Sequence, residues 1–252
     1  MKVVCFIPAR MGASRFPGKV LTPIAGRPML EHCYRGAAAS DLLDEVVIAT
    51  CDAEIEAWAR GAGIACVMTS PTHERATDRV AEAAGASDAD VVVLVQGDEP
   101  LVTPDMVDAA LGPVLAGGAA CTNLIKRIDN EGDFRSPNTV KVLFDAQKHA
   151  LAFSRSPVPN SGVLGFEGIT AYKQVAVFGC TRERLLEFSQ LRPTPLEIAE
   201  SVDMLRYLEH GRPIQLVETE RTTHGVDVPD DVGVVEQILA TRAHPSRELE
   251  ES

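Results

Sequence analysis

Apolar and polar positions alternate in blocks through the first half of the chain. The run Val3-Val4-Cys5-Phe6-Ile7 predicts a strand over 2–7, and Glu45 to Thr50 and Ala65 to Met68 read as further strands. Between them, Pro28 to Ala39 predicts a helix opened by proline in its first turn. A second helix runs from Asp52 to Arg60 and stops at Gly61, and Thr77 to Ala84 forms a third. Asp90 to Gln96 is almost wholly apolar, the pattern of a central strand covered on both faces, and a helix from Pro104 to Leu115 follows it. Such alternation predicts right-handed βαβ units on a parallel sheet.

The pattern changes after residue 120. Cys121 to Ile128, Val140 to Phe144, Ala150 to Arg155 and Lys173 to Gly179 read as strands with few helices between them, and the loop from Pro157 to Gly168 is rich in Pro, Gly and Ser. Residues 120–190 are therefore expected to extend the sheet with antiparallel strands and to supply a dimerisation arm. One amphipathic helix is expected over Pro195 to His210, then a strand over Pro213 to Val217 and a last helix over Val228 to Arg242. The expectation is a single α/β domain over 1–242, with a charged, disordered tail over 243–252.

Chemistry concentrates where the first strand ends. Pro8-Ala9-Arg10-Met11-Gly12-Ala13-Ser14-Arg15-Phe16-Pro17-Gly18-Lys19 holds three cations and two glycines, a composition suited to gripping a polyphosphate. It is not a P-loop: one residue too many lies between Gly12 and Gly18, and Val20 stands where a magnesium-binding hydroxyl is needed. The competing reading is a basic surface loop. Against that reading, the chain carries 24 Lys and Arg against 36 Asp and Glu, a net charge of −12, so cations gathered in one loop imply a local anionic ligand. The same acidity disfavours nucleic acid and anionic membranes as partners.

Two acids are candidate metal ligands. Asp98, in Gln96-Gly97-Asp98-Glu99-Pro100, ends the most apolar strand, where ligands bind in open α/β sheets. Asp227 follows Gly225 and precedes a helix, and it reads either as a second oxygen ligand for Mg²⁺ or as a turn or capping acid, with Asp230 the better cap. The six cysteines are scattered, with no CxxC pair, and read as reduced core residues. No apolar run approaches the ~20 residues of a membrane span, and the expected location is cytoplasmic.

These residues together resemble one family, the CMP-KDO synthetases, which are cytidylyltransferases activating 3-deoxy-manno-octulosonate. The resemblance runs from residue 2 to about 240. It rests on the N-terminal loop, His73…Thr77-Asp78-Arg79, Gln96-Gly97-Asp98-Glu99-Pro100, Pro137-Asn138…Val140-Lys141-Val142, Phe153-Ser154-Arg155, Pro195-Leu196-Glu197 and Gly225-Val226-Asp227-Val228-Pro229. It implies a Rossmann-like nucleotidyltransferase fold, CTP and Mg²⁺ as requirements, a homodimer, and pyrophosphate as co-product.

Carried over motif by motif, the resemblance puts Arg10, Ser14, Arg15 and Lys19 on the triphosphate and Thr77, Asp78 and Arg79 at the base and ribose. It puts Asp98 and Asp227 on magnesium, and Gln96, Arg155, Gln174, Glu197 and Glu200 toward the sugar acid. Arg10, Lys19 and Asp98 are the residues expected to act in the transfer itself. Arg75-Ala76 stands where the family reads Ser-Gly, Gln174 where a histidine aligns, and Asp203-Met204 where the family has Glu-Gln. The phosphate loop and both acids stand unchanged. The expected reaction is CMP transfer to 3-deoxy-manno-octulosonate; the alternatives are another acidic acceptor or a non-catalytic CTP-binding relative.

Overall fold

The computed structural model describes residues 1–13 and 15–243, so Ser14 and the charged tail after Ala243 lie outside the described residues. In chain order the elements are β1 (Val3–Ala9), β2 (Pro23–Ile24), β3 (Arg27–Pro28), α1 (Met29–Ala38), β4 (Glu45–Thr50), α2 (Ala53–Gly61), β5 (Ala65–Met68), α3 (Ala76–Gly85), β6 (Val91–Val95) and α4 (Pro104–Leu115). There follow β7 (Cys121–Arg127), α5 (Glu131–Arg135), β8 (Lys141–Phe144), β9 (Ala150–Ser154), β10 (Tyr172–Thr181), α6 (Arg182–Gln190), α7 (Pro195–Glu200), α8 (Met204–Glu209), β11 (Gln215–Glu218) and α9 (Asp230–Ala243).

The main sheet runs β11-β7-β10-β6-β1-β4-β5, with β8 and β9 attached through β10. Strands β6, β1, β4 and β5 are parallel, as the βαβ alternation requires. β1 shows why helices cover both faces. Val3, Cys5, Ile7 and Ala9 point into a core with residues of α1, α2, α4 and α9, while Val4 and Phe6 point into a second core with residues of α3, α6 and α8. A period of two through a wholly buried strand gives each face its own apolar layer.

β10 is inserted between β6 and β7 and runs antiparallel to both, so β7 keeps the direction of the parallel strands. It is shared lengthwise. Its later part, Val177 to Thr181, pairs with β6, whereas Tyr172 and Lys173 pair with β8. The change of neighbour coincides with a bulge against β7 between Val175 and Phe178. There the Gln96 N–H donates to the Ala176 carbonyl at 3.1 Å, at the carboxyl end of β6. The sheet opens at that seam, beside Gln96 to Glu99.

Two expectations about helices are corrected. The single helix expected over Pro195 to His210 is broken into α7 and α8, because Ser201 takes the left-handed conformation (φ 53°) and ends the first of them. α6 goes unassigned in the sequence reading. It starts at Thr181, whose side chain accepts the Arg184 N–H, and buries Leu185 and Phe188 on one face.

Candidate active site

The carboxyl ends of β1 and β6 meet in a cleft of about 610 Å³. Gly97 belongs to that meeting: a Cβ on it would sit 2.8 Å from the Pro8 carbonyl oxygen, so the glycine is needed for the approach of β1.

The N-terminal loop closes on both candidate metal acids. Lys19, only 12% exposed, places Nζ 2.8 Å from Asp98 Oδ2, 2.7 Å from the Val226 carbonyl and 3.6 Å from Asp227 Oδ1. Arg15 Nη2 donates to Asp227 Oδ1 at 2.8 Å, and its Nη1 reaches Asn138 Oδ1. Residues 79 and 208 positions from Lys19 are thus brought to one ammonium group. Both carboxylates are about one-third exposed and face the cleft.

Asp227 is held by its own helix start. Asp231 Oδ2 accepts the N–H groups of Asp227 (2.7 Å) and Val228 (2.9 Å), and its Oδ1 lies 3.0 Å from His224 Nε2. The clamp is Asp231, not the Asp230 favoured from sequence; backbone and histidine hydrogen bonds hold its pKa below the usual carboxylate value despite its burial. Beside Asp98, burial and the Asp98 charge push the Glu99 carboxyl up to about 7.

Arg10, Arg79, Gln96, Arg155 and Gln174 also line the cleft, together with Asp133, Asn138 and Lys173, which the sequence does not single out as ligands. Thr77, Asp78, Glu197 and Glu200 do not. Asp78 accepts two bonds from Arg206 Nη1 (2.9 Å) and Nη2 (3.1 Å). Glu197 is wholly buried, holds the same guanidinium through Nε (2.8 Å) and Nη2 (2.7 Å), and accepts the Thr194 N–H. Arg206 stacks 4.0 Å from the centre of the Phe188 ring. Burial alone would lower its pKa, but the bonds to Glu197 and Asp78 override that and raise it.

Thr77 donates its N–H and Oγ1 to Asp203, whose carboxyl is raised by burial against those two bonds. Glu200 accepts from Ser154 Oγ (2.9 Å) and the Arg155 N–H (2.7 Å). These four residues therefore shape the cleft from behind. The resemblance places them near ligand; of the four, Thr77 and Asp78 share a motif with Arg79, which does line the cleft, whereas no residue of Pro195-Leu196-Glu197 does.

Arg155 is likewise committed. Its guanidinium donates to the carbonyls of Glu200 (2.6 Å) and Pro137 (2.8 Å) rather than presenting a free fork to a carboxylate. Lys141 is buried with Nζ on three carbonyls, those of Ser136 (2.8 Å), Thr139 (2.6 Å) and Arg155 (2.7 Å). Burial first, and the Arg155 charge second, lower it to about 8. Together Arg155 and Lys141 knit the lip at 136–139 to the end of β9. Arg75 reaches the break between α7 and α8, with Nη1 2.7 Å from Ser201 Oγ and Nε 3.3 Å from Glu197.

Among the described residues no group of three or more His, Cys, Asp and Glu side chains is arranged to hold a metal ion. Two acids converging on one cation fit Mg²⁺ bound partly by substrate phosphate oxygens, its common mode. No helix among the described residues is long and apolar enough to cross a membrane, and all six cysteines are free.

Comparison with known proteins places the chain in a family. Residues 4–217 match the family model described as cytidylyltransferase. The chain is 44% identical to the 3-deoxy-manno-octulosonate cytidylyltransferase of Geobacter metallireducens, over 95% of this chain and 98% of that protein. It is 42% identical to the enzyme of the same name from Geotalea daltonii, over 96% and 100%. Among solved structures it resembles a CMP:2-keto-3-deoxy-manno-octonic acid synthetase complexed with CTP, with a TM-score of 0.87 and 35% identity over 96% of this chain and 100% of that one. By the family model, these relatives and the shared fold, the chain belongs to the 3-deoxy-manno-octulosonate cytidylyltransferase family.

Proposed function

We propose that this protein transfers CMP from CTP to the anomeric hydroxyl of 3-deoxy-manno-octulosonate, with Mg²⁺ as cofactor and pyrophosphate as leaving group. The observation that carries the reading is the meeting of Asp98 and Asp227 around Lys19 Nζ, at 2.8 and 3.6 Å, beside a cationic loop. The anomeric oxygen forms a bond to the α-phosphorus, the bond to the bridging oxygen of pyrophosphate breaks, and the hydroxyl proton passes to water. In such transfers the protein positions the groups and neutralises charge.

Arg10, Arg15 and Lys19 bind the triphosphate and offset the charge that builds on pyrophosphate as it leaves. Ser14 belongs to the same loop. Asp98 and Asp227 would hold Mg²⁺, which would supply positive charge against the phosphate oxygens and make a neighbouring hydroxyl more acidic. Arg79 faces the nucleotide, with Thr77 and Asp78 fixing the helix start behind it. Gln96 and Gln174 face the sugar acid, while Arg155, Glu197 and Glu200 set the shape of that side.

The working unit is a single catalytic domain over 1–242 that pairs with a second copy through residues 120–190, in the cytoplasm. The decisive test is pyrophosphate release with CTP and Mg²⁺ against a panel of sugar acids. Release with 3-deoxy-manno-octulosonate is expected. Release only with another acid moves the reaction to that acceptor, and CTP binding without release from any of them makes the protein a nucleotide sensor.

A further inference from the structure

Asn123 sits fully buried in β7, opposite the β10 bulge. Its Nδ2 donates to the carbonyls of Val175 at 2.8 Å and Leu124 at 2.9 Å, with the Val177 carbonyl at 3.4 Å. Three carbonyls around one end of the amide leave only one assignment: nitrogen toward them and Oδ1 away. Oδ1 then accepts from Gln174 Nε2 at 2.7 Å. Because that oxygen cannot donate, Gln174 cannot turn its own oxygen toward it, and its orientation is fixed in turn. Gln174 lines the cleft, and among the described residues no donor bonds to its Oε1.

We infer that Asn123 is a positioning residue that holds the Gln174 amide with its carbonyl oxygen toward the cleft, so that the sugar acid is recognised there through a donated hydroxyl hydrogen and not through its carboxylate. The device is a relay of two amides. The bulge carbonyls orient Asn123, Asn123 orients Gln174, and Gln174 offers the sugar an acceptor of fixed direction. A carboxylate brought to the same oxygen would meet lone pairs on both sides. The inference deepens the proposed reaction and rests on it.

The test measures KM for 3-deoxy-manno-octulosonate and for CTP separately, by pyrophosphate release, in wild type, Asn123→Ser, Gln174→Ala and the double variant. Loss of one neutral hydrogen bond predicts a rise of about five- to tenfold in KM for the octulosonate in each single variant, with KM for CTP unmoved. The double variant should be no worse than Gln174→Ala, because Asn123 acts through Gln174. Additive effects, an equal rise in both KM values, or an unchanged octulosonate KM in either single variant would overturn it.

Should Asn123→Ser not fold, Gln174→Glu serves without touching the core. Its carboxylate has no donor for Asn123 Oδ1, so its octulosonate KM should exceed that of Gln174→Ala, and a wild-type value refutes the relay. Wild-type protein that releases no pyrophosphate with octulosonate refutes the proposed reaction, and the relay with it. Wild-type turnover with indifferent variants refutes the relay alone.

Discussion

Asp203 caps a helix through a residue 126 positions before it: its Oδ2 accepts the Thr77 Oγ1 hydrogen at 2.8 Å and the Thr77 N–H at 3.1 Å. α3 starts after Arg75, whose side chain makes no capping bond, so the N–H at the first turn is satisfied from the loop between α7 and α8. A side-chain oxygen supplied from elsewhere in the fold does what a local Ser or Asp does at other helix starts. Replacing Asp203 by Ala should cost about 1–2 kcal/mol, the usual worth of a lost cap. Urea unfolding measures it, and a midpoint equal to wild type would show that the bond contributes nothing.

Lys19 makes a sharper prediction. Lys19→Met should lower the turnover number for pyrophosphate release by about 10²–10³-fold, as removal of one charge-stabilising donor commonly does. Asp98→Asn should abolish release, with the far-ultraviolet circular dichroism unaltered. Undiminished turnover in Asp98→Asn would remove that residue from the metal site.

The buried trio Asp78, Arg206 and Glu197 separates scaffold from ligand site. Arg206→Met leaves the wholly buried Glu197 carboxylate only the longer Arg75 contact and the Thr194 N–H, and should cost about 3 kcal/mol, read by denaturant titration. Glu197→Gln should lower stability while leaving the KM values for CTP and the sugar acid unchanged. A selective rise in the KM for the sugar acid would instead return Glu197 to the ligand-binding role the sequence implies.

Lys141 predicts a pH dependence of stability. Its folded pKa is lowered to about 8 from 10.5, chiefly by burial. Between those values the unfolded chain holds a proton that the folded protein has released, so this group makes stability rise with pH across the window. Below about pH 8 the lysine is charged in both states and the full cost of burying the charge is present. Buried Cys5, Cys33, Cys121 and Cys180, raised by burial, pull the other way in both proteins, so the readout is the difference: the unfolding midpoint of wild type should gain on that of Lys141→Met as pH rises across the window.

Much of the architecture was legible because its signals are local. Glu45 to Thr50, Ala65 to Met68 and Pro104 to Leu115 have the same bounds in sequence and structure, since apolar runs and a leading proline carry that information. Asp98 and Lys19 stood out by type and position. What stayed hidden depends on backbone conformation or on distant partners. Nothing about Ser201 marks a left-handed residue, so α7 and α8 read as one helix. Glu197 is expected at the sugar acid until Arg206 is seen turning back onto it. Asn123 is one of four polar residues in β7, and only the β10 bulge explains its burial.

Because one strand borders both β6 and β8, β10 divides its work along its length. Val177 to Thr181 is wedged against β6, and the end beside β8 carries Lys173 and Gln174, which line the cleft. Substitutions at those two positions can therefore reshape one wall of the cleft without loosening the ladder at the other end.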